Sequence, residues 1–433
     1  NFYLLNGYIL HPNTIFNEFQ KLLPGYFGVY CIKDNKLKLN KYWNIISRYK
    51  FKNNHILALD KVEGLLDNAT SLRAVADVPT ANFTSGGIDS TIISKYIKNH
   101  VGNISSYGAH FPNSVYRSTL YMDEVSNKYD QNLTKINVDS SNIDCAFELL
   151  EILDEPFDGA SSVALFLLFK KINGKSKVVF TGDGGDEVFA GYDRYIKNNF
   201  SKYRAIKIYL ILLLKNIIPI KFFKSFYISS LLGYYFQLNT KSDLRCILKS
   251  KFKLKNITNN KFLKLTINDI LCNNLTKIQA LQYYDIKTIL PCRMLYKLDI
   301  ISMNFGIEAR SPLLDHSLGE FVFNQSDSFK INKSITKYPL KKLLESDFKE
   351  NFIHSKKEGF GNPFKDWFSS SKSLILLNDL RDKNNILYNY IDYKLTQKRL
   401  PEIFTSYRGK NDKLIWRLIV LSYFLKRFTK QIS

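Results

Sequence analysis

The chain is 433 residues long, 45% hydrophobic and 23% charged, which suits two or three globular domains and excludes disordered and collagen-like chains. Lys and Arg total 62 against 39 Asp and Glu, a formal net charge of +23. The excess is scattered from end to end, so it reads as compositional bias and not as a nucleic-acid or membrane footprint. The five cysteines, Cys31, Cys145, Cys246, Cys272 and Cys292, form no C-x-x-C pair. That excludes a disulfide framework or zinc site and points to a reducing, cytoplasmic location.

The chain opens mid-pattern on Asn1 with no signal-peptide pattern, and Asn1 in place of Met favours a fragment of a longer protein. Residues 7–10 and 26–32 read as strands, with a turn at Asp34-Asn35 and a returning strand over 36–42. From Leu57 the apolar spacing is helical. Residues 80–84 are extended, 85–90 glycine-rich and 91–99 helical; 177–181 form a second buried-strand run, with a polar turn over 182–187 and a helix from Val188. Strands alternating with helices predict a parallel sheet covered on both faces. Beyond Ser201 the chain is mostly helical. Its one membrane-like stretch, 208–214, is broken by Lys215, Asn216 and Pro219; it is too short for a span of about 20 residues. The basic, amphipathic segment 201–236 reads as a helical pair packing on its own core, with a membrane surface as the alternative.

Ser85-Gly86-Gly87-Ile88-Asp89-Ser90 is the sharpest feature. Two glycines let the backbone wrap an anion closely, successive amides point inward at a helix N-terminus, and Ser85 and Ser90 add hydroxyls. Bare phosphate would repel Asp89, so this residue is expected to hold a bridging cation. Ile88 is expected to face the sheet. The bland alternative is an Asp-Ser helix cap. The loop is not of Walker type, and it resembles the PP-loop of the ATP pyrophosphatase superfamily, whose members split ATP between the α and β phosphates.

Thr181-Gly182-Asp183-Gly184-Gly185-Asp186-Glu187 comes directly off a strand. Three acidic residues in five positions repel one another, unless they face a ligand crevice at the carboxyl end of the sheet. There Asp186 suits Mg²⁺, and Asp183 suits a proton acceptor.

Together, S-G-G-I-D-S and the following G-D-G-G-D-E-V-F-A-G-Y resemble the synthetase domain of glutamine-dependent asparagine synthetases (class B). Glu308-Ala-Arg310-Ser-Pro312-Leu-Leu-Asp315 is similar to the family's E-x-R-x-P-[FL]-L-D. Lys356-Lys357-Glu-Gly359-Phe360-Gly361-Asn-Pro363 is similar to K-x-G-F-x-x-P, and residues 416–428 to its terminal helix. Gly7-Tyr8-Ile-Leu-His-Pro12 and Leu23-Pro24-Gly25-Tyr26 resemble the end of a glutaminase domain. The resemblance implies an α/β fold with a doubly wound parallel sheet of the PP-loop type and a mostly helical C-terminal part. Residues 1–45 would be the edge of a glutaminase-type domain, and 46–433 the ATP-binding synthetase domain.

The resemblance further implies that ATP adenylates the side-chain carboxylate of aspartate, releasing pyrophosphate, and that ammonia then displaces AMP to give asparagine. ATP and Mg²⁺ are the implied cofactors. The matching ATP positions are Thr84, Ser85, Gly86, Gly87, Asp89, Ser90, Ala109, Thr181, Gly182 and Asp186, with Asp89 and Asp186 on the metal. Asp183 matches the residue that takes a proton from ammonia, and Lys357 matches the lysine that neutralises pyrophosphate. Lys297, Glu308 and Arg310 either meet the acceptor substrate or form internal ion pairs. Implied partners are aspartate, ammonia or glutamine, and a glutaminase domain on the same longer chain, with room for a homodimer. No nucleic acid or transmembrane segment is expected.

Several positions depart from the family. The nucleophilic N-terminal cysteine of the glutaminase is absent. The usual L-P-D-D-x-L-x-K-x-D-R reads Leu290-Pro291-Cys292-Arg293-Met-Leu-Tyr-Lys297-Leu-Asp299-Ile300, and the stretch around Val115 and Arg117 lacks the usual acidic pair. The acceptor is therefore open between aspartate and the substrates of related adenylating enzymes, which amidate sugars or close β-lactams and peptides. A tRNA-acting PP-loop enzyme predicts catalytic cysteine patterns that are missing. A decayed scaffold would not retain Asp89, Asp183, Asp186 and Lys357 together.

Overall fold

The computed structural model describes residues 2–46, 55–112, 118–159, 161–196, 248, 260–355, 373–405 and 412–430. Strands β1 (Tyr26–Cys31) and β2 (Lys36–Lys41) form an antiparallel hairpin. Strands β3 (Thr80–Phe83), β4 (Ser105–His110), β5 (Asn132–Asn137), β6 (Val178–Phe180) and β7 (Glu308–Arg310) form one sheet. Its order is β5-β4-β3-β6-β7, and every neighbouring pair is parallel. Parallel strands bury both faces. Val179 packs into the core on one side, with helices Ile143–Ile152 and Ser161–Ile172. Val178 and Phe180 pack into the other, with helices His55–Ala74 and Ile88–Val101. The doubly wound α/β expectation therefore holds. Val62, Leu66 and Ala69 lie on one face of helix His55–Ala74 and are fully buried, the spacing that makes the run helical.

Three local readings change. Residues 7–10 are not a strand. Helix Phe2–Asn6 precedes them, Tyr8, Ile9 and Leu10 are all buried, and the backbone is tied instead by Asp158 N–H, which donates to Gly7 O at 2.8 Å. The buried Arg417 guanidinium donates to Leu4 O (3.1 Å) and Leu5 O (2.7 Å) and pairs with the Asp158 carboxylate. A buried pair of this kind costs about 3–5 kcal/mol to break, and the bonds of the same guanidinium to Leu4 O and Leu5 O fasten the N-terminal helix to the C-terminal helix Asp412–Lys430. The helix after the first glycine loop begins at Ile88, not Thr91, placing Asp89 and Ser90 in its first turn. The helix after the acidic turn is a single turn, Gly185–Val188, closed by Ala190 in the left-handed region (φ 55°). The segment 201–236 and the region from Lys356 to Pro363 lie outside the described residues. Among the described residues, no helix is long and apolar enough to cross a membrane.

Candidate active site

The chain leaves β3 toward β4 and β5, then returns to place β6 on the other side of β3. The order reverses between β3 and β6, and open α/β sheets take ligands at the carboxyl ends of strands at such a switch point. Both signature loops therefore meet there. A Cβ on Gly182 would lie 2.8 Å from Ser90 N and 2.9 Å from Asp89 Cβ; only glycine lets the loops close on each other. Thr181, at the end of β6, is tied to the next strand through its amide to Arg310 O (2.9 Å) and its hydroxyl to Ser311 Oγ (2.8 Å).

The Ser85–Ser90 loop is braced by its own hydroxyls. Ser85 N–H donates to Ser90 Oγ (3.1 Å), the Ser85 and Ser90 hydroxyls lie 2.9 Å apart, and Ser90 and Thr91 hydroxyls donate to Gly87 O (3.1 and 2.8 Å). Gly86 takes a left-handed φ of 72°. Gly87 is the N-cap of helix Ile88–Val101 and supplies no side-chain cap. The Asp-Ser cap is not what forms: Ser90 turns back on the loop, Asp89 pairs with Lys337, and the Gly87 amide donates to Ser85 Oγ at 3.3 Å. Ile88 is buried with Val178 and Phe180, as expected. Beneath the loop, buried Thr84 contacts Ser106 Oγ at 2.6 Å and accepts from Asn82 Nδ2 at 3.2 Å. Ala109 is buried near the carboxyl end of the adjacent β4.

Across the crevice, Asp89 and Asp186 converge on Lys337, which the sequence reading missed. Its ammonium lies 2.7 Å from Asp186 Oδ1 and pairs with Asp89 Oδ2. Burial pulls this ammonium toward neutrality, but Asp186 and Asp89 together outweigh it and raise its pKa above the usual lysine value. The glycines of the acidic turn make the convergence sterically feasible. A Cβ on Gly185 would sit 2.3 Å from Asp89 Oδ1, and one on Gly191 would sit 2.1 Å from both Asp186 Oδ1 and Lys337 Cε. Lys337 is one lysine among many in sequence. Its signal was the unmet need of two facing carboxylates for a counter-charge. Behind the turn, Glu187 is buried and accepts from Tyr192 OH at 2.6 Å. Burial first, and Asp186 second, lift Glu187 to about 7. Buried Gln282 donates to the carbonyls of Glu187 and Val188 at 2.9 Å each, and is itself held by the buried Lys330 ammonium at 2.9 Å.

At the other end of the turn, burial raises the Asp183 carboxyl, with Lys297 and the Thr181 hydroxyl opposing and Asp186 reinforcing the shift. Lys297 is buried, donates to Ser161 Oγ at 3.0 Å, and is lowered by that burial against the pull of Asp183. It follows the π-helical stretch Leu290–Leu295, a helix distortion frequent at functional sites. The other two acceptor candidates go elsewhere. Arg310 forms a two-pronged pair with Glu308 (2.9 Å each) and donates to the carbonyls of Arg73 and Val75, none of which belongs to either loop. The altered Cys292 is buried, and Arg293 donates to Asn6 O at 3.1 Å and approaches Asp158 at 3.5 Å. Lys357 lies outside the described residues.

The family model described as asparagine synthase matches residues 61–426. A glutamine-hydrolysing asparagine synthetase of Bacillus subtilis is 21% identical, covering 96% of this chain and 67% of its own. An amidase of Gibberella zeae is 22% identical over 92% of this chain and 66% of its own. A protein of Mycobacterium tuberculosis, designated a putative asparagine synthetase, is 22% identical over 86% of this chain and 59% of its own. The chain thus spans 59–67% of the length of these relatives.

Proposed function

The chain belongs to the asparagine synthase family, and on that premise we propose that it is an ATP-dependent ligase that adenylates a carboxylate and then aminates it. Our reading takes aspartate as the acceptor and asparagine as the product. The observation that carries it is the convergence of an uncapped helix N-terminus, a hydroxyl-braced glycine loop and two carboxylates at the sheet's switch point. Chemically, attack of a carboxylate on the α-phosphorus requires charge on the departing pyrophosphate to be neutralised. The amides of the Ser85–Ser90 loop and the helix dipole supply part of that neutralisation, and Lys357 is assigned the same task.

Mg²⁺ fits the donor set. Asp89 and Asp186 face each other across the Lys337 ammonium, and magnesium is typically held by one or two carboxylates plus phosphate oxygens, so the two aspartates would hold it together with a bound triphosphate. It would add neutralisation of the pyrophosphate. Asp183 is assigned the proton lost by ammonia during attack on the acyl carbon. The upward pull of burial on its carboxyl supports that role, because a base works best with a pKa nearer the working pH.

A glutaminase domain on the same longer polypeptide would supply ammonia. Hairpin β1–β2 supports this, since Phe27, Val29, Leu37 and Leu39 are all about half exposed and an isolated two-strand hairpin is marginally stable. A second reading keeps the adenylation and changes the acceptor. Arg310 and Arg293 pair with carboxylates of the chain itself, and the relatives include an amidase. The test is product analysis by mass with Mg·ATP, ammonium and a panel of carboxylic acids. Asparagine from aspartate alone supports the first reading. Adenylation of a different acid, with none of aspartate, replaces it by the second.

A further inference from the structure

The position between Asp89 and Asp186 is filled by a side chain. Lys337 reaches both carboxylates with its ammonium, and its side chain is 8% exposed against 19% and 17% for the two aspartates. Its placement is imposed by the fold. Lys337 adopts a left-handed backbone (φ 53°, ψ 34°) immediately before helix Tyr338–Leu344, a conformation non-glycine residues rarely take and one that persists where the surroundings enforce it. Pro339 fixes the following helical turn. Gly185 and Gly191 leave no room for a larger side chain around the cluster. Two carboxylates and one ammonium carry a net charge of −1. A divalent ion added beside the ammonium would meet like charge in a space already filled. Expelling the ammonium alone would leave it without an anionic partner in a buried setting, an unfavourable exchange. A triphosphate changes this balance, because it brings new anionic oxygens to the same crevice.

We propose that Lys337 is a resident cation: it holds Asp89 and Asp186 together in the nucleotide-free protein and excludes divalent metal until a nucleoside triphosphate offers the ammonium another anionic partner. The inference rests on the reading of Asp89 and Asp186 as the metal carboxylates. It makes metal and nucleotide binding mutually dependent, a coupling that is reciprocal by thermodynamic necessity.

The test is Mn²⁺ uptake by the 433-residue chain, followed by electron paramagnetic resonance, with and without α,β-methylene-ATP. Wild type is expected to take up protein-bound Mn²⁺ only with the analogue. Uptake of equal affinity without it overturns the inference on wild type alone, whatever any variant does. Lys337→Met is expected to bind Mn²⁺ without nucleotide at least about tenfold more tightly than wild type, and Asp186→Asn added to it should abolish that binding. Equal, weak affinity in wild type and a folded Lys337→Met protein overturns the inference while leaving the site reading intact. Absence of Mn²⁺ uptake in both nucleotide states, in protein that binds the analogue, removes the metal role of Asp89 and Asp186 and this inference with it.

Discussion

At the phosphate end of the crevice, charged groups answer one another across the two loops: Asp89 and Asp186 meet on Lys337, and the Ser85 and Ser90 hydroxyls brace the turn between them. At the acceptor end the charges disperse. Asp183 and Lys297 remain in the crevice, Arg310 turns to Glu308 and the end of helix His55–Ala74, and Arg293 turns to the N-terminal segment. On the function proposed above, the step common to every acceptor, splitting ATP, falls to the interlocked end. On the same proposal, selection among acceptors falls to the end whose arginines pair with other residues of the chain.

Asp183 lies between the two ends, and the largest effect is expected there. Asp183→Asn is expected to slow amination by about 10²–10⁴-fold while pyrophosphate release persists, read by rapid-quench separation of pyrophosphate and amide product. Equal losses in both steps would move Asp183 to the phosphate end. Next in size is a pH effect behind the acidic turn. Burial and Asp186 lift the Glu187 carboxyl from 4.5 to about 7, so the folded chain binds a proton there that the unfolded chain has released. This stability is fully present below about 4.5 and is lost as pH rises through about 7, the reverse of an ion-paired carboxylate. The fall amounts to roughly 3 kcal/mol. Denaturant titrations from pH 4.5 to 8 should show it, and Glu187→Gln should flatten it.

Glycine substitutions sharpen the contrast in packing. Gly185→Ala places a Cβ 2.3 Å from Asp89 Oδ1, and the overpacking is expected to cost about 1–3 kcal/mol, seen as weaker nucleotide binding by calorimetry. Gly64→Ala, in helix His55–Ala74 with nothing within 4 Å of the new Cβ, should instead stabilise the fold by about 0.5–1 kcal/mol. The smallest effect is expected at Glu308. Its side chain is 60% exposed, and an exposed ion pair is worth about 0–1 kcal/mol. Glu308→Gln should therefore leave adenylation unchanged and barely move the thermal midpoint; a specific loss of acceptor affinity would return Glu308 to the pocket.

What could be read from the sequence follows the same division. The two loops declared themselves because glycines, hydroxyls and carboxylates at fixed spacing have few other uses, and the helical spacing from Leu57 and the buried runs at 80–84 and 177–181 gave the sheet its frame. Lys337 stayed hidden because its role comes from a contact with residues 151 and 248 positions away, which no local pattern encodes. Residues 7–10 misled because a continuous buried apolar run has the same composition in a strand and in a packed connecting segment. Strand β7 was overlooked at three residues, too short to show alternation. Arg310 and Glu308 remained ambiguous in sequence because residues two apart on a strand share a face and pair as readily with each other as with a ligand.

We propose that the Ser85–Ser90 loop and its acidic partner turn cleave ATP between the α and β phosphates. The most direct measurement is the identity of the nucleotide product, resolved by ion-exchange chromatography after incubation with Mg·ATP, ammonium and the carboxylate panel. AMP and pyrophosphate are expected in equal amounts, dependent on a carboxylate and lost in Asp89→Asn. Formation of ADP and inorganic phosphate, or AMP formation that is indifferent to Asp89, would contradict the proposal.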